Sequence, residues 1–111
     1  MDERMHEQGG FLSPEAWDYL AHRLGMSHRE RQIAQGILAD RKELAIAHHL
    51  GVSAHTVHTH LERLYRKLGV GSRLQLATFL AWRHVQWTAE PDSPLPPICG
   101  DRTAGRCPLN S

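Results

Sequence analysis

The segment from Leu44 to Val70 carries the pattern that most restricts the fold of this chain, because two helical stretches meet there at Gly51-Val52-Ser53. Gly51 can adopt the left-handed conformation that ends a helix, and the Ser53 hydroxyl can accept a hydrogen bond from a free amide of the next helix. A connection of about three residues leaves the two helices steeply crossed. The pattern predicts a helix-turn-helix, in which the first helix offers an apolar face of Ala45, Ala47 and Leu50, with the two alanines allowing close approach.

The second helix, from Ser53 to Leu68, has an apolar edge and a polar edge. At about 100° per residue, the apolar edge consists of Val57, Leu61, Leu64 and Leu68. The opposite edge holds His55, Thr59, Glu62, Arg63 and Arg66. Positive charge is concentrated here, since five basic residues and one acidic residue between positions 53 and 83 leave a net charge of +4, against +1 for the whole chain. This is typical of a surface that contacts nucleic-acid phosphates, although many helix pairs with a glycine turn bind no DNA.

A series of motifs between Leu24 and Trp82 resembles the LuxR-type helix-turn-helix domain. In chain order they are Ser27-His28-Arg29-Glu30-Arg31, Gly36, Lys42-Glu43-Leu44-Ala45, Leu50-Gly51-Val52-Ser53, Thr56-Val57-His58-Thr59-His60, Lys67-Leu68-Gly69-Val70 and Ser72-Arg73. The resemblance covers about half of the chain. It implies an all-α, four-helix domain that binds promoter double-stranded DNA and regulates transcription, commonly as a dimer through its last helix.

The resemblance and the helix pattern together predict a DNA interface. Side chains expected to face bases or nearby phosphates are His55, Thr59, Glu62, Arg63 and Arg66. Those expected to face the sugar-phosphate backbone are Lys42, Thr56, His58 and Arg73, and the helix starts near Lys42, Ser53 and Arg73 offer amides that attract phosphate. In a dimer, the two half-sites are expected about one DNA turn apart, roughly 10 base pairs.

Two positions depart from the family pattern. Many members have Lys directly after the Thr-Val pair and often another basic residue four positions later, where this chain has His58 and Glu62. His58 could donate to a phosphate or to guanine, and Glu62 could accept from cytosine N4 or pair with Arg66 and orient it. Both interpretations of Glu62 remain open. Because imidazole titrates near pH 6.5, we expect mild acidification to tighten DNA binding.

Capping patterns mark the other helix starts. Ser27 with Glu30, Asp40 with Glu43, and Ser72 with Gln75 each have the spacing of a capping box. Ahead of these, Ser13-Pro14-Glu15 is a typical start for an accessory helix, which Gly25 ends and whose apolar stripe is Trp17, Leu20, Ala21 and Leu24.

The last helix is apolar on two faces. One face holds Leu74, Ala77, Ala81 and Val85, and the other holds Leu76, Phe79, Leu80 and Trp87. A small domain can bury only one of them in its own core. We expect the accessory helix to pack onto the bundle and the remaining apolar surface to form a homodimer.

These patterns divide the chain into a flexible segment 1–12, an accessory helix 13–25, a DNA-binding domain 26–87 and a disordered Pro-rich tail 88–111, which holds five of the six prolines. The first ten residues are polar and resemble neither a signal peptide nor an anchor, so the expected location is the cytoplasm, without a membrane. Cys99 and Cys107 lie in the tail. They could close a disulfide or respond to oxidant, but in the cytosol they are expected to stay reduced and inert.

No cofactor, metal site or catalytic site is expected. The nine histidines lack the spacing and the companion ligands of a zinc site, and the chain has no Gly-rich phosphate loop and no nucleophile elbow. Two other functions remain as alternatives. One is a protein-interaction module that keeps the fold but pairs with another regulator instead of DNA; the other is the promoter-recognition region of a sigma factor, for which a companion domain is missing.

Overall fold

The computed structural model describes residues 12–95, and this part contains five helices and no strand. The helices are α1 (Pro14–Leu24), α2 (His28–Leu38), α3 (Glu43–Leu50), α4 (Ala54–Leu68) and α5 (Arg73–Thr88). The predicted all-α fold with an accessory N-terminal helix is confirmed. None of these five helices is long and apolar enough to cross a membrane.

Most of the predicted helix starts are confirmed by their hydrogen bonds. Ser27 and Glu30 form the complete capping box, in which the Glu30 N–H donates to Ser27 Oγ at 3.1 Å and the Ser27 N–H donates to Glu30 Oε1 at 2.9 Å. Ser13 caps α1, with Pro14 in the first turn. Ser72 caps α5 by accepting from the N–H of the third helical residue, but the Gln75 side chain accepts from the Gly71 N–H at 2.6 Å instead of returning to Ser72.

The capping box predicted at Asp40 and Glu43 is wrong. Asp40 ends α2 in a left-handed conformation with φ 60°, and α3 begins after Lys42 without a side-chain cap. The N–H of Asp40 donates to the Ile37 carbonyl at 2.9 Å and the N–H of Arg41 donates to the Gly36 carbonyl at 3.0 Å. These are the two bonds of a Schellman motif. Asp40 therefore satisfies the last carbonyls of α2, because a short polar residue tolerates the left-handed region.

The hydrophobic core joins all five helices. α4 packs against α2 and α3, while α5 packs against α1 and α2. The largest fully buried side chains of these helices are Trp17, Leu20, Ile33, Val57, Leu64, Leu76 and Leu80.

The face of α3 that packs inward agrees with the predicted one at Ala47 and Leu50 but not at Ala45. Ile46 and Ala47 are buried, whereas Ala45 is exposed. A further small residue allows close approach of α2 and α3, since a Cβ atom placed on Gly36 would lie 2.7 Å from Ile46 Cγ1. The absence of a side chain at Gly36 therefore positions α3 on α2.

The two ends of the described segment are packed onto the helices. Leu12 and Leu95 are only 1% and 3% exposed, Thr88 is buried at the end of α5, and Arg23 pairs with Glu90 at 2.8 Å. The predicted boundaries at residues 12 and 88 therefore do not mark the limits of the packed structure. The rest of the predicted tail, with both cysteines, and the predicted segment 1–11 lie outside the described residues.

One face of α5 is buried and the other is only partly covered, since Ala77, Ala81 and Val85 are half-buried. Leu76, Leu80 and Trp87 belong to the core, as expected, while Leu74 is 74% exposed. The accessory helix covers the far end of α5, where the Tyr19 and Trp87 rings make an edge-to-face contact at 6.0 Å. Trp82 is also 58% exposed, and the sequence pattern had assigned this large apolar side chain to neither face.

Candidate nucleic-acid interface

The helix α4 turns its aliphatic edge inward and its arginines outward. Val57, Leu61 and Leu64 are at most 2% exposed, while Arg63 and Arg66 lie on the surface. Within residues 12–95, neither arginine side chain forms a hydrogen bond or an ion pair. Both guanidinium groups are therefore accessible to an anionic partner.

The ten predicted interface residues lie on or beside this helix. Eight belong to α4 or its cap, while Lys42 directly precedes α3 and Arg73 begins α5. The exposed members are Lys42, Ser53, His55, His58, Glu62, Arg63 and Arg66, and the half-buried members are Thr56, Thr59 and Arg73.

The start of α4 is held by its capping residues. Ser53 Oγ accepts from the Thr56 N–H at 3.1 Å and lies 2.9 Å from Thr56 Oγ1. The cap leaves the amides of Ala54 and His55 without an intrahelical acceptor, as at any helix start, so this end of α4 carries a partial positive charge. Such an end is suited to hold a phosphate.

His58 lies between two carboxylates. Its Nδ1 is 3.1 Å from Glu43 Oε1 on α3, and its Nε2 is 2.7 Å from Glu62 Oε1 one turn further along α4. The pKa of His58 is raised, mainly by the hydrogen bond with Glu43 and also by the charges of both glutamates. Of the two open interpretations of Glu62, pairing with Arg66 is not the arrangement found, since its carboxylate pairs with His58. The sequence did not identify Glu43 as a partner of His58, because no local pattern indicates a contact between residues 15 positions apart.

Lys67 does not contribute to the outward charge in the way the sequence suggested. Its Nζ donates to Glu30 Oε1 at 2.7 Å and to the Gly25 carbonyl at 2.9 Å, which joins the end of α4 to the start of α2. Burial alone would raise the pKa of Glu30, but the hydrogen bonds from Lys67 and from the Ser27 N–H outweigh it, and the pKa is lowered. The outward positive charge of α4 therefore rests on Arg63 and Arg66.

Arg73 also has an internal role. Its Nη2 donates to the Arg41 carbonyl, which ties the start of α5 to the loop between α2 and α3. Because the side chain is half-buried, only part of its donor set remains available to a phosphate.

The exposed face of α5 forms an apolar groove of about 420 Å³. Its lining residues are Val70, Leu74, Gln75, Thr78, Phe79 and Trp82.

In the part of the chain between positions 12 and 95, no group of three or more His, Cys, Asp or Glu side chains is placed to hold a metal ion.

The structure combines a short turn between two packed helices with an exposed cationic edge and a buried aliphatic edge on the second helix. These features define a helix-turn-helix DNA-binding domain. The chain matches the family model of bacterial regulatory proteins, luxR family, over residues 25–80. The match spans half of the chain, so this protein belongs to the LuxR family, whose domain functions in DNA-binding transcription regulation and not in catalysis. Searches of curated proteins and of solved structures found no match.

Proposed function

We propose that this protein regulates transcription by inserting α4 into the major groove of a specific DNA sequence. The observation that carries this proposal is the pair of exposed, unpaired arginines, Arg63 and Arg66, on the edge of α4 opposite the buried Leu61 and Leu64. Arginine is the side chain that most often reads guanine in the major groove, through two hydrogen bonds. His55 and Thr59 lie on the same helix and complete the surface that faces the bases.

Phosphate contacts are assigned to the residues around this helix. Lys42 at the exposed cap of α3 and the free amides after Ser53 supply charge and donors at one end of the interface. Thr56 and the remaining donors of Arg73 lie at its border. These contacts would fix the orientation of the domain on the duplex without reading sequence.

The proposed active form is a homodimer joined through the exposed face of α5. Leu74 and Trp82, at 74% and 58% exposure, flank the apolar groove, and a partner helix seated there would remove both from water. A two-fold axis at α5 would present the two α4 helices to half-sites about one helical turn, roughly 10 base pairs, apart. Because its partner is bacterial promoter DNA, we expect the dimer to act in the cytoplasm.

The proposal is tested by selecting bound duplexes from a random pool and measuring their affinity by fluorescence anisotropy. We expect Arg66→Ala to weaken binding to the selected duplex by about 1–3 kcal/mol, roughly 5- to 150-fold, and to weaken binding to random duplex less. Lys42→Ala is expected to weaken binding to all duplexes, and to reduce the slope of log affinity against log salt concentration by about one. Arg23→Gln on α1 removes one positive charge away from α4, together with its ion pair to Glu90, and serves as the control once circular dichroism has shown that it is folded.

A different result would favour the alternative function. If the folded protein binds neither selected nor random duplex at low salt, the DNA-binding proposal fails. The groove on α5 would then identify the chain as a protein-interaction module that pairs with another regulator. Sedimentation with the purified protein distinguishes self-association from monomer in the same experiment.

A further inference from the structure

The three side chains Glu43, His58 and Glu62 form one hydrogen-bonded unit at the proposed DNA interface. A carboxylate can only accept hydrogen bonds, so each ring nitrogen of His58 must carry a proton for both contacts, at 3.1 and 2.7 Å, to form at once. The geometry therefore corresponds to an imidazolium between two carboxylates.

We infer that His58 is a positioning residue for Glu62, and that Glu62, held in this way, selects a cytosine in each half-site. This inference rests on the proposed function. The two carboxylates belong to different helices, so the protonated ring fixes the rotamer of Glu62 relative to α3 as well as α4. Only Glu62 Oε1 is used by His58, and the side chain is 56% exposed. The second oxygen remains available to accept from the amino group of cytosine N4, the donor that acidic side chains read in the major groove.

The charge of the unit also affects DNA binding. With His58 protonated, the unit and the neighbouring Arg63 and Arg66 together carry one net positive charge. When the ring loses its proton, this net charge becomes zero and one of the two hydrogen bonds is lost, because neutral imidazole has a single N–H. The bare Glu62 carboxylate would then be both less ordered and more strongly repelled by phosphate.

The surrounding groups do not replace His58 in this titration. Glu43 on α3 and Glu62 on α4 face the His58 ring. Lys42 is the residue directly before Glu43. The pKa of Tyr65 is raised by burial, with a further contribution from the charge of Glu43, so Tyr65 stays neutral at neutral pH. The ion pair that joins α2 to α4 involves Lys67, more than two turns beyond His58.

The first test is base preference, measured with the full chain on the selected duplex. Replacing the proposed cytosine by thymine removes the N4 donor, and we expect a loss of about fivefold or more for the wild type. Glu62→Gln should move the preference from cytosine toward adenine, since glutamine reads adenine N6 and N7. If Glu62→Gln selects the same base at every position as the wild type, the inference is wrong, even though DNA binding itself is retained.

The second test is the pH profile at constant ionic strength. The protonated form of His58 is the one that holds Glu62 in place, and the pKa of His58 is raised. The contribution of His58 to DNA binding is therefore complete at low pH and is lost as pH rises through this pKa. We expect wild-type affinity for the selected duplex to fall about three- to tenfold from pH 6 to pH 8, and His58→Asn to abolish most of this dependence and to weaken the cytosine preference.

The control for the pH experiment is His49→Gln, an exposed histidine on α3 outside the unit. It should keep both the pH profile and the base preference of the wild type. Circular dichroism establishes that each variant is folded. A His58→Asn protein that is folded and still shows the wild-type pH profile would exclude His58 as the titrating group. Absence of binding to any duplex at low salt would refute the proposed function itself.

Discussion

The contact between Gly36 and Ile46 leads to a stability prediction in which two effects oppose each other. Alanine is favoured over glycine in a helix interior by about 1 kcal/mol, so Gly36→Ala should stabilise α2 if only local propensity mattered. A Cβ at this position, however, would lie 2.7 Å from Ile46 Cγ1 and 2.8 Å from Ile46 Cδ1, whereas carbon atoms pack at about 3.5–4.0 Å. Roughly 0.8 Å of separation must therefore be created within a buried helix contact.

The cost of this displacement decides the sign of the effect. Overpacking of a core costs about 1–3 kcal/mol, and the site cannot relax easily because Ile46 is only 2% exposed and Cγ1 is close to the backbone. After the propensity gain of about 1 kcal/mol is subtracted, we expect Gly36→Ala to lower the free energy of unfolding by up to about 2 kcal/mol. Urea denaturation followed by circular dichroism measures this value.

A double-mutant cycle with Ile46→Ala separates the two effects. Ile46→Ala removes the three atoms that would lie nearest to Cβ of residue 36, at a cost of about 2–5 kcal/mol by itself. In this background, Gly36→Ala should stabilise the protein by up to about 1 kcal/mol. Equal effects of Gly36→Ala in the two backgrounds would refute the reasoning, because the clash could not then be the cause.

Three further predictions follow from other contacts. The pKa of Glu30 is lowered in the folded state, so its ion pair with Lys67 contributes stability above the unfolded pKa of about 4.3, and this contribution is lost as pH falls through the folded pKa. Lys67→Gln should therefore reduce the free energy of unfolding by about 1–2 kcal/mol at pH 7 and by less at pH 3, as measured by urea denaturation. Ser53→Ala should lower stability by about 1 kcal/mol in the same assay, and an unchanged value would mean that the capping bond is not maintained in solution. Leu74→Glu or Trp82→Glu should shift the protein toward monomer in sedimentation and weaken binding to two half-sites more than to one; an unaltered sedimentation profile would place the dimer contact elsewhere.

The helix starts and the turn could be predicted because their causes are local. Ser27 and Glu30 bond to amides within the same helical turn, and Gly51 adopts φ 71° at the point where the chain must leave one helix and enter the next. Asp40 shows the limit of this reasoning. It has the spacing of a capping box, but whether it starts α3 or ends α2 depends on which carbonyls need a donor in the folded chain.

Helical periodicity alone sets the amphipathic register of α4, and with it the outward position of Arg63 and Arg66, because it separates the two edges before any packing occurs. The pairing of polar side chains, by contrast, depends on how the helices pack in the folded chain. His58 meets Glu43 across 15 residues and Lys67 meets Glu30 across 37, and both contacts exist because packing brings the surfaces of separate helices together. A side-chain hydrogen bond requires an approach within about 3.5 Å, and the packing of the core, not the local pattern, sets that distance.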